Sequence, residues 1–87
     1  MSNIQQTSLE AYQDIKRNLG ARQQKVYDAI KTLVCPTNLE ISGYTRLPIN
    51  VVTPRTNELV KKGFVKEFER RECTVSGRMA IAWCVAL

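Results

Sequence analysis

Residues 37–65 read TNLEISGYTRLPINVVTPRTNELVKKGFV, and the reading of the whole chain turns on them. Thr37 and Glu40 have capping-box spacing and open a short helix through about residue 45. Leu39 and Ile41 are its candidate core contacts, with Tyr44 beside them. Gly43 lowers the local helix propensity, which predicts close packing against a neighbouring helix. Leu47 is an apolar plug for a tight turn, and Pro48 stands at or just before a new helical start.

The element that follows covers roughly residues 49–62. At about 100° per residue, Val52, Thr56, Leu59 and Gly63 fall on one face, which must be the buried one. Asn50, Pro54, Asn57 and Lys61 fall opposite, with Thr53 beside them, while Arg55 and Lys62 lie at a margin from which long side chains reach out. Pro54 conflicts with a regular helix, and Thr53-Pro54 is a good N-cap and first-position pair. The β-branched run at Ile49, Val51, Val52 and Thr53 adds to the conflict. The sequence therefore leaves two starts open, one near Ile49 and one at Thr53. Gly63 supplies the C-terminal cap.

Beyond Gly63 the period changes to two. Residues 64–75 read as a strand, Ser76-Gly77 as a turn, and residues 78–86 as a second strand. A break near residues 69–71 would instead give three short strands. Met79, Ile81, Trp83 and Val85 alternate with Ala80, Ala82, Cys84 and Ala86, so both faces of the second strand are expected to be partly covered. Arg70, Arg71 and Arg78 decorate the hairpin among Glu67, Glu69 and Glu72.

Upstream, Pro36 ends a scaffold helix over about residues 21–34, whose apolar face carries Val26, Ala29, Ile30 and Leu33. Residues 1–6 are polar and read as a flexible terminus. Residues 7–19 read as an N-terminal helix, opened by Thr7 and Glu10, with a stripe of Leu9, Tyr12, Ile15 and Leu19. That stripe packs either on its own core or against a second copy of the chain. Residues 20–87 form the main domain.

Eighty-seven residues make one small domain with a thin core, for which dimerisation is a common remedy. The hydrophobic fraction of 44% argues against disorder along most of the length. A net charge of +5 and a pI near 9.4 favour a polyanionic partner. The excess is concentrated: over residues 44–66, Arg46, Arg55, Lys61, Lys62 and Lys66 face only Glu58. Cys35, Cys73 and Cys84 have no CxxC spacing and no histidine, so neither a metal site nor a cofactor is expected. They read as small buried hydrophobes in a reducing cytoplasm, and nothing around them marks a redox switch. No apolar run is long enough to cross a bilayer. Histidine, a Gly-rich phosphate loop and a paired-carboxylate motif are all missing, which argues against an enzyme.

The fold class is α+β: a three-helix helix-turn-helix core, a C-terminal β-hairpin wing and an extra N-terminal helix. Thr37 to Ile41, Leu47-Pro48, Val52 to Arg55 and the ending Glu58-Leu59-Val60-Lys61-Lys62-Gly63-Phe64-Val65 resemble the winged helix-turn-helix domain of MarR-like regulators. The whole is similar to short winged-helix proteins of phage and prophage genomes. The resemblance implies a small transcriptional regulator that binds double-stranded DNA. MarR-like proteins dimerise through helices on both sides of the domain, and here only residues 9–19 could serve. The expected contacts are Asn50, Thr53, Pro54, Arg55 and Asn57 toward bases, and Lys61, Lys62, Lys66, Arg70, Arg71 and Arg78 toward the backbone or minor groove. The alternative is a protein-docking module, favoured by apolar Val51 and Pro54 near the same face.

Overall fold

The computed structural model describes residues 19–86. Three helices, α1 (Ala21–Leu33), α2 (Asn38–Thr45) and α3 (Ile49–Lys61), precede an antiparallel hairpin of β1 (Val65–Glu72) and β2 (Met79–Val85). The expected N-terminal stripe at Leu9, Tyr12 and Ile15 lies outside the described residues. Leu19 is partly buried and packs on the domain's own core. Among the described residues no helix is long and apolar enough to cross a membrane.

The core forms where the three helices and the hairpin meet. Val26, Tyr27, Ala29 and Ile30 from α1, Ile41 from α2, Val52 and Leu59 from α3, and Val65 and Trp83 from the strands make one cluster, with Leu47 packed against it. Thr56 is also fully buried and donates its hydroxyl to Asn38 Oδ1 at 2.8 Å, fastening α3 to the first turn of α2. The buried face inferred for α3 is thus occupied by Val52, Thr56 and Leu59, while Gly63 is exposed.

Both ends of the helix-turn-helix follow from its cap residues. Thr37 Oγ1 accepts from the Glu40 N–H at 3.3 Å, and Glu40 Oε1 accepts from the Thr37 N–H at 3.1 Å. The regular helix α3 begins at Ile49, not at Thr53. Its first turn is fixed by backbone bonds from Val51 and Val52 to the Pro48 carbonyl and by the buried Val52 side chain. Burial therefore outweighs the β-branched run, and Pro54 sits inside the helix. Having no N–H, it leaves the Asn50 carbonyl without its i+4 donor. At the far end, Gly63 (φ +82) bonds to Val60 O and Phe64 to Leu59 O, a Schellman cap.

Three local expectations are corrected. Leu39 and Tyr44 are 36% and 55% exposed, leaving Ile41 as the buried residue of α2, because a two-turn helix turns only one narrow stripe inward. A Cβ at Gly43 would meet nothing within 4 Å, so that glycine answers no close approach. The cysteines are not all free thiols: Cys35 and Cys84, 49 residues apart, are disulfide-bonded, and only Cys73 stays free and buried. Val34 and Cys35 both adopt left-handed backbone (φ 58 and 61), which swings Cys35 onto β2 at a cost of about 1–2 kcal/mol per residue.

The hairpin register runs from Val65 opposite Val85 to Glu72 opposite Met79, with a bulge that leaves Phe68 unpaired. The other edge of β2 meets the chain before α2 through one backbone bond, Trp83 N to Pro36 O at 2.8 Å. Glu40 locks this arrangement. Its carboxylate accepts five bonds: from the Thr37 N–H, from both Arg71 terminal nitrogens at 2.9 and 2.6 Å, and from the Thr74 N–H and hydroxyl at 3.0 and 2.9 Å. The Arg71 guanidinium, with the Thr74 and Thr37 N–H groups behind it, outweighs burial and holds the Glu40 carboxyl far below the usual carboxylate range.

Gly63→Ala forces a side chain into left-handed backbone and should cost about 1 kcal/mol, read as a lower urea midpoint at unchanged slope. Glu40→Gln should cost about 1–3 kcal/mol at pH 7. Because the folded-state pKa is depressed, the contribution is complete above the unfolded value of about 4.3 and fades as the pH falls below it. The melting-temperature gap between wild type and Glu40→Gln should accordingly be full at pH 7 and close progressively under acid conditions. A gap that persists at low pH would show that the ionised carboxylate is not its source.

Candidate nucleic-acid interface

Helix α3 presents one continuous polar face. Asn50, Pro54, Asn57 and Lys61 are all exposed, and Thr53 between them is partly buried. Asn50 and Asn57 stand seven residues apart, two turns along one side, with Lys61 one further turn on. Among the described residues this face carries no carboxylate of its own: Glu58 turns toward α1. Val51 is partly buried, so the apolar surface that it offers is small.

Arg55 and Glu58 form the edge of the face. Arg55 Nε lies 2.7 Å from Glu58 Oε1, and its terminal nitrogen donates to Oε2 at 2.8 Å. Glu58 in turn accepts from Gln23 Nε2 at 2.7 Å, and Lys62 Nζ donates to Gln23 Oε1 at 3.2 Å. Gln23 Oε1 also accepts from the Gly20 N–H at the N-cap of α1. The Gln23 amide, joined by the Arg55 guanidinium, lowers the pKa of Glu58, so it stays ionised beside these cations. The result is a bracket from the start of α1 to the last turns of α3, around an open notch lined by Gly20, Ala21, Arg22, Gln23, Arg55 and Glu58. Arg55 is therefore aimed by Glu58 and does not swing freely over the polar face of α3. Gln23 and Glu58 were not foreseen as site residues, since their pairing joins positions 35 residues apart.

On the wing the expected cations separate into two groups. Lys66, Arg70 and Arg78 are exposed. Arg71 instead points inward, donating to Glu40, to the Cys35 carbonyl at 3.1 Å and to the Glu72 carbonyl at 2.9 Å. An arginine so committed organises the wing, and the sequence could not separate it from its neighbour Arg70. Arg78 ends a turn closed by Cys73 N to Arg78 O and Gly77 N to Cys73 O, both 2.8 Å. Within that turn, burial pushes the Cys73 thiol up, but the Thr37 hydroxyl and the Ser76 and Val75 N–H groups outweigh it and bring its pKa down.

No family model and no curated protein matches the sequence. Among solved structures the chain is similar to one described as Multiple Antibiotic Resistance Repressor, MarR, with a TM-score of 0.60 and 24% identity. The match covers 98% of this chain but only 59% of that one, so the chain spans well under two thirds of the repressor's length. At this identity the likeness speaks for architecture, and it agrees with the helices, turn and hairpin described above: the chain has the winged helix-turn-helix fold.

Proposed function

We propose that this domain is a double-stranded DNA-binding regulator, with α3 as the recognition helix in the major groove and the hairpin as the wing. The observation that carries the reading is the face of α3: exposed amide and ammonium groups in one row with the half-buried Thr53 hydroxyl between them, backed by a fully buried Val52, Thr56 and Leu59. From Asn50 to Lys61 that row is about 16 Å long, enough to follow four or five base pairs. Asn50 and Asn57 have the amide geometry that pairs with adenine, and Thr53 and Pro54 lie between them against base edges or a thymine methyl. Arg55, steadied by Glu58, reaches guanine or a phosphate at the edge. Lys61, Lys62, Lys66, Arg70 and Arg78 hold the sugar-phosphate backbone, while Arg71 acts through the wing's shape. A homodimer, with residues 9–19 as part of its interface, would read two half-sites about one helical turn apart.

A protein-docking module is the second reading, favoured by Tyr44 and Ile49, which are 55% and 40% exposed on either side of the turn before α3.

Selection of bound duplexes from a random pool, followed by fluorescence anisotropy on the winners, tests the proposal. Asn57→Ala should relax the preference at one base pair and cost about 1–3 kcal/mol. Lys61→Ala should weaken all duplexes alike and reduce the slope of log affinity against log salt by about one. No binding to any duplex at low salt sinks the proposal. Binding to a protein partner that depends on Tyr44 and Ile49 but not on Asn57 or Lys61 selects the second reading.

A further inference from the structure

The Cys35–Cys84 bond joins the turn before α2 to the hairpin, beside the Glu40 network. Cys35 belongs to the turn between α1 and α2, and Cys84 to β2. Apart from the disulfide, the wing is tied to this segment by the Glu40 bonds to Arg71 and Thr74, by Trp83 N to Pro36 O, by Arg71 to the Cys35 carbonyl and by the Thr37–Cys73 contact at 3.0 Å. Neither bonded cysteine belongs to the core cluster, which is assembled without them. Both are partly exposed, within reach of a small thiol or disulfide, whereas Cys73 is buried. The bond adjoins two non-glycine residues in left-handed backbone, Val34 as the C-cap of α1 and Cys35 itself. Val34 is β-branched and 76% exposed, so no packing of its own side chain retains it there. A disulfide that is accessible, that sits in left-handed backbone and that lies outside the core cluster has the features of the labile class.

We propose that Cys35 and Cys84 form a reversible redox-modification site, exchanging with low-molecular-weight disulfides and thiols, that sets how firmly the wing is held to the start of α2. In the oxidising direction one cysteine thiolate attacks a sulfur of the small disulfide, forming a mixed disulfide and expelling one thiolate. The second cysteine thiolate attacks the protein sulfur of that mixed bond, closing Cys35–Cys84 and expelling the other thiolate. The two protein thiols give up two electrons and two protons, and the small disulfide becomes two thiols. On reduction Val34 and Cys35 relax out of the left-handed region, the Pro36 and Cys35 carbonyls leave Trp83 and Arg71, and the wing loosens while the core and the Glu40 network stay in place. The chemistry stands by itself; its effect on DNA rests on the function proposed above.

The test equilibrates the full chain with mixtures of oxidised and reduced glutathione, followed by intact mass, peptide mapping, hydrogen exchange and anisotropy with a selected duplex. The oxidised form should be two hydrogens lighter, with residues 35 and 84 in one linked peptide. Reduction without unfolding should speed exchange at residues 34–37 and 79–85 and weaken duplex binding roughly tenfold, within the 5–150-fold usual for coupled sites, with recovery on reoxidation. Cys35→Ser and Cys84→Ser should each stay at the reduced value in every mixture. If neither form binds any duplex but the exchange change persists, the DNA reading fails and the switch stands. The proposal is overturned if the link never forms, if it resists reduction until the domain unfolds, or if exchange and affinity are the same in both forms.

Discussion

One carboxylate decides how the helical part and the hairpin are held together. Glu40 begins as a capping residue, serving the helix that carries it by accepting from the Thr37 N–H. The same two oxygens then take the Arg71 guanidinium from β1 and both donors of Thr74 from the wing turn. A surface ion pair adds little to stability, but here the acid is only 13% exposed and the pair is bidentate, with further backbone donors. The wing's direction relative to α2 therefore depends on a network whose members hold one another in place, and α2 in turn positions α3 through Thr56 and Asn38.

The domain separates its polar groups by burial. Threonines 37 and 56 sit in the interior with each hydroxyl bonded, so they add direction to the packing without leaving an orphan group. The two carboxylates on the helices beside the candidate interface are paired with cations, Glu58 with Arg55 and Glu40 with Arg71, while Glu67, Glu69 and Glu72 stand exposed along the wing. Lys61, Lys66, Arg70 and Arg78 are exposed, and the net charge of +5 favours a polyanion.

Much of this was legible in the sequence because it is local. The Thr37–Glu40 box, the Leu47-Pro48 turn, the Val52–Thr56–Leu59 stripe and the Gly63 stop each follow from spacing within a few residues. The helical start was not legible: propensity at residues 49–54 argued for Thr53, and a tertiary contact at Val52 overrode it. The Cys35–Cys84 bond, the inward turn of Arg71 and the Gln23–Glu58 bracket were invisible for one reason. Each joins positions 31 to 49 residues apart, and no local periodicity encodes such meetings. The candidate site was accordingly legible as a face of α3 but not as a set of free and committed side chains.

Pro54 gives that face one more property. By removing a donor it leaves the Asn50 carbonyl without the helical N–H of residue 54, at a position that is exposed on α3. A partner docking there meets a main-chain acceptor as well as side chains, and a base amino group is the sort of donor that would satisfy it. Side-chain substitution at residue 50 cannot erase such an acceptor. Part of the surface proposed to meet DNA is thus written into the backbone by a residue that, in most helices, would count only as a defect.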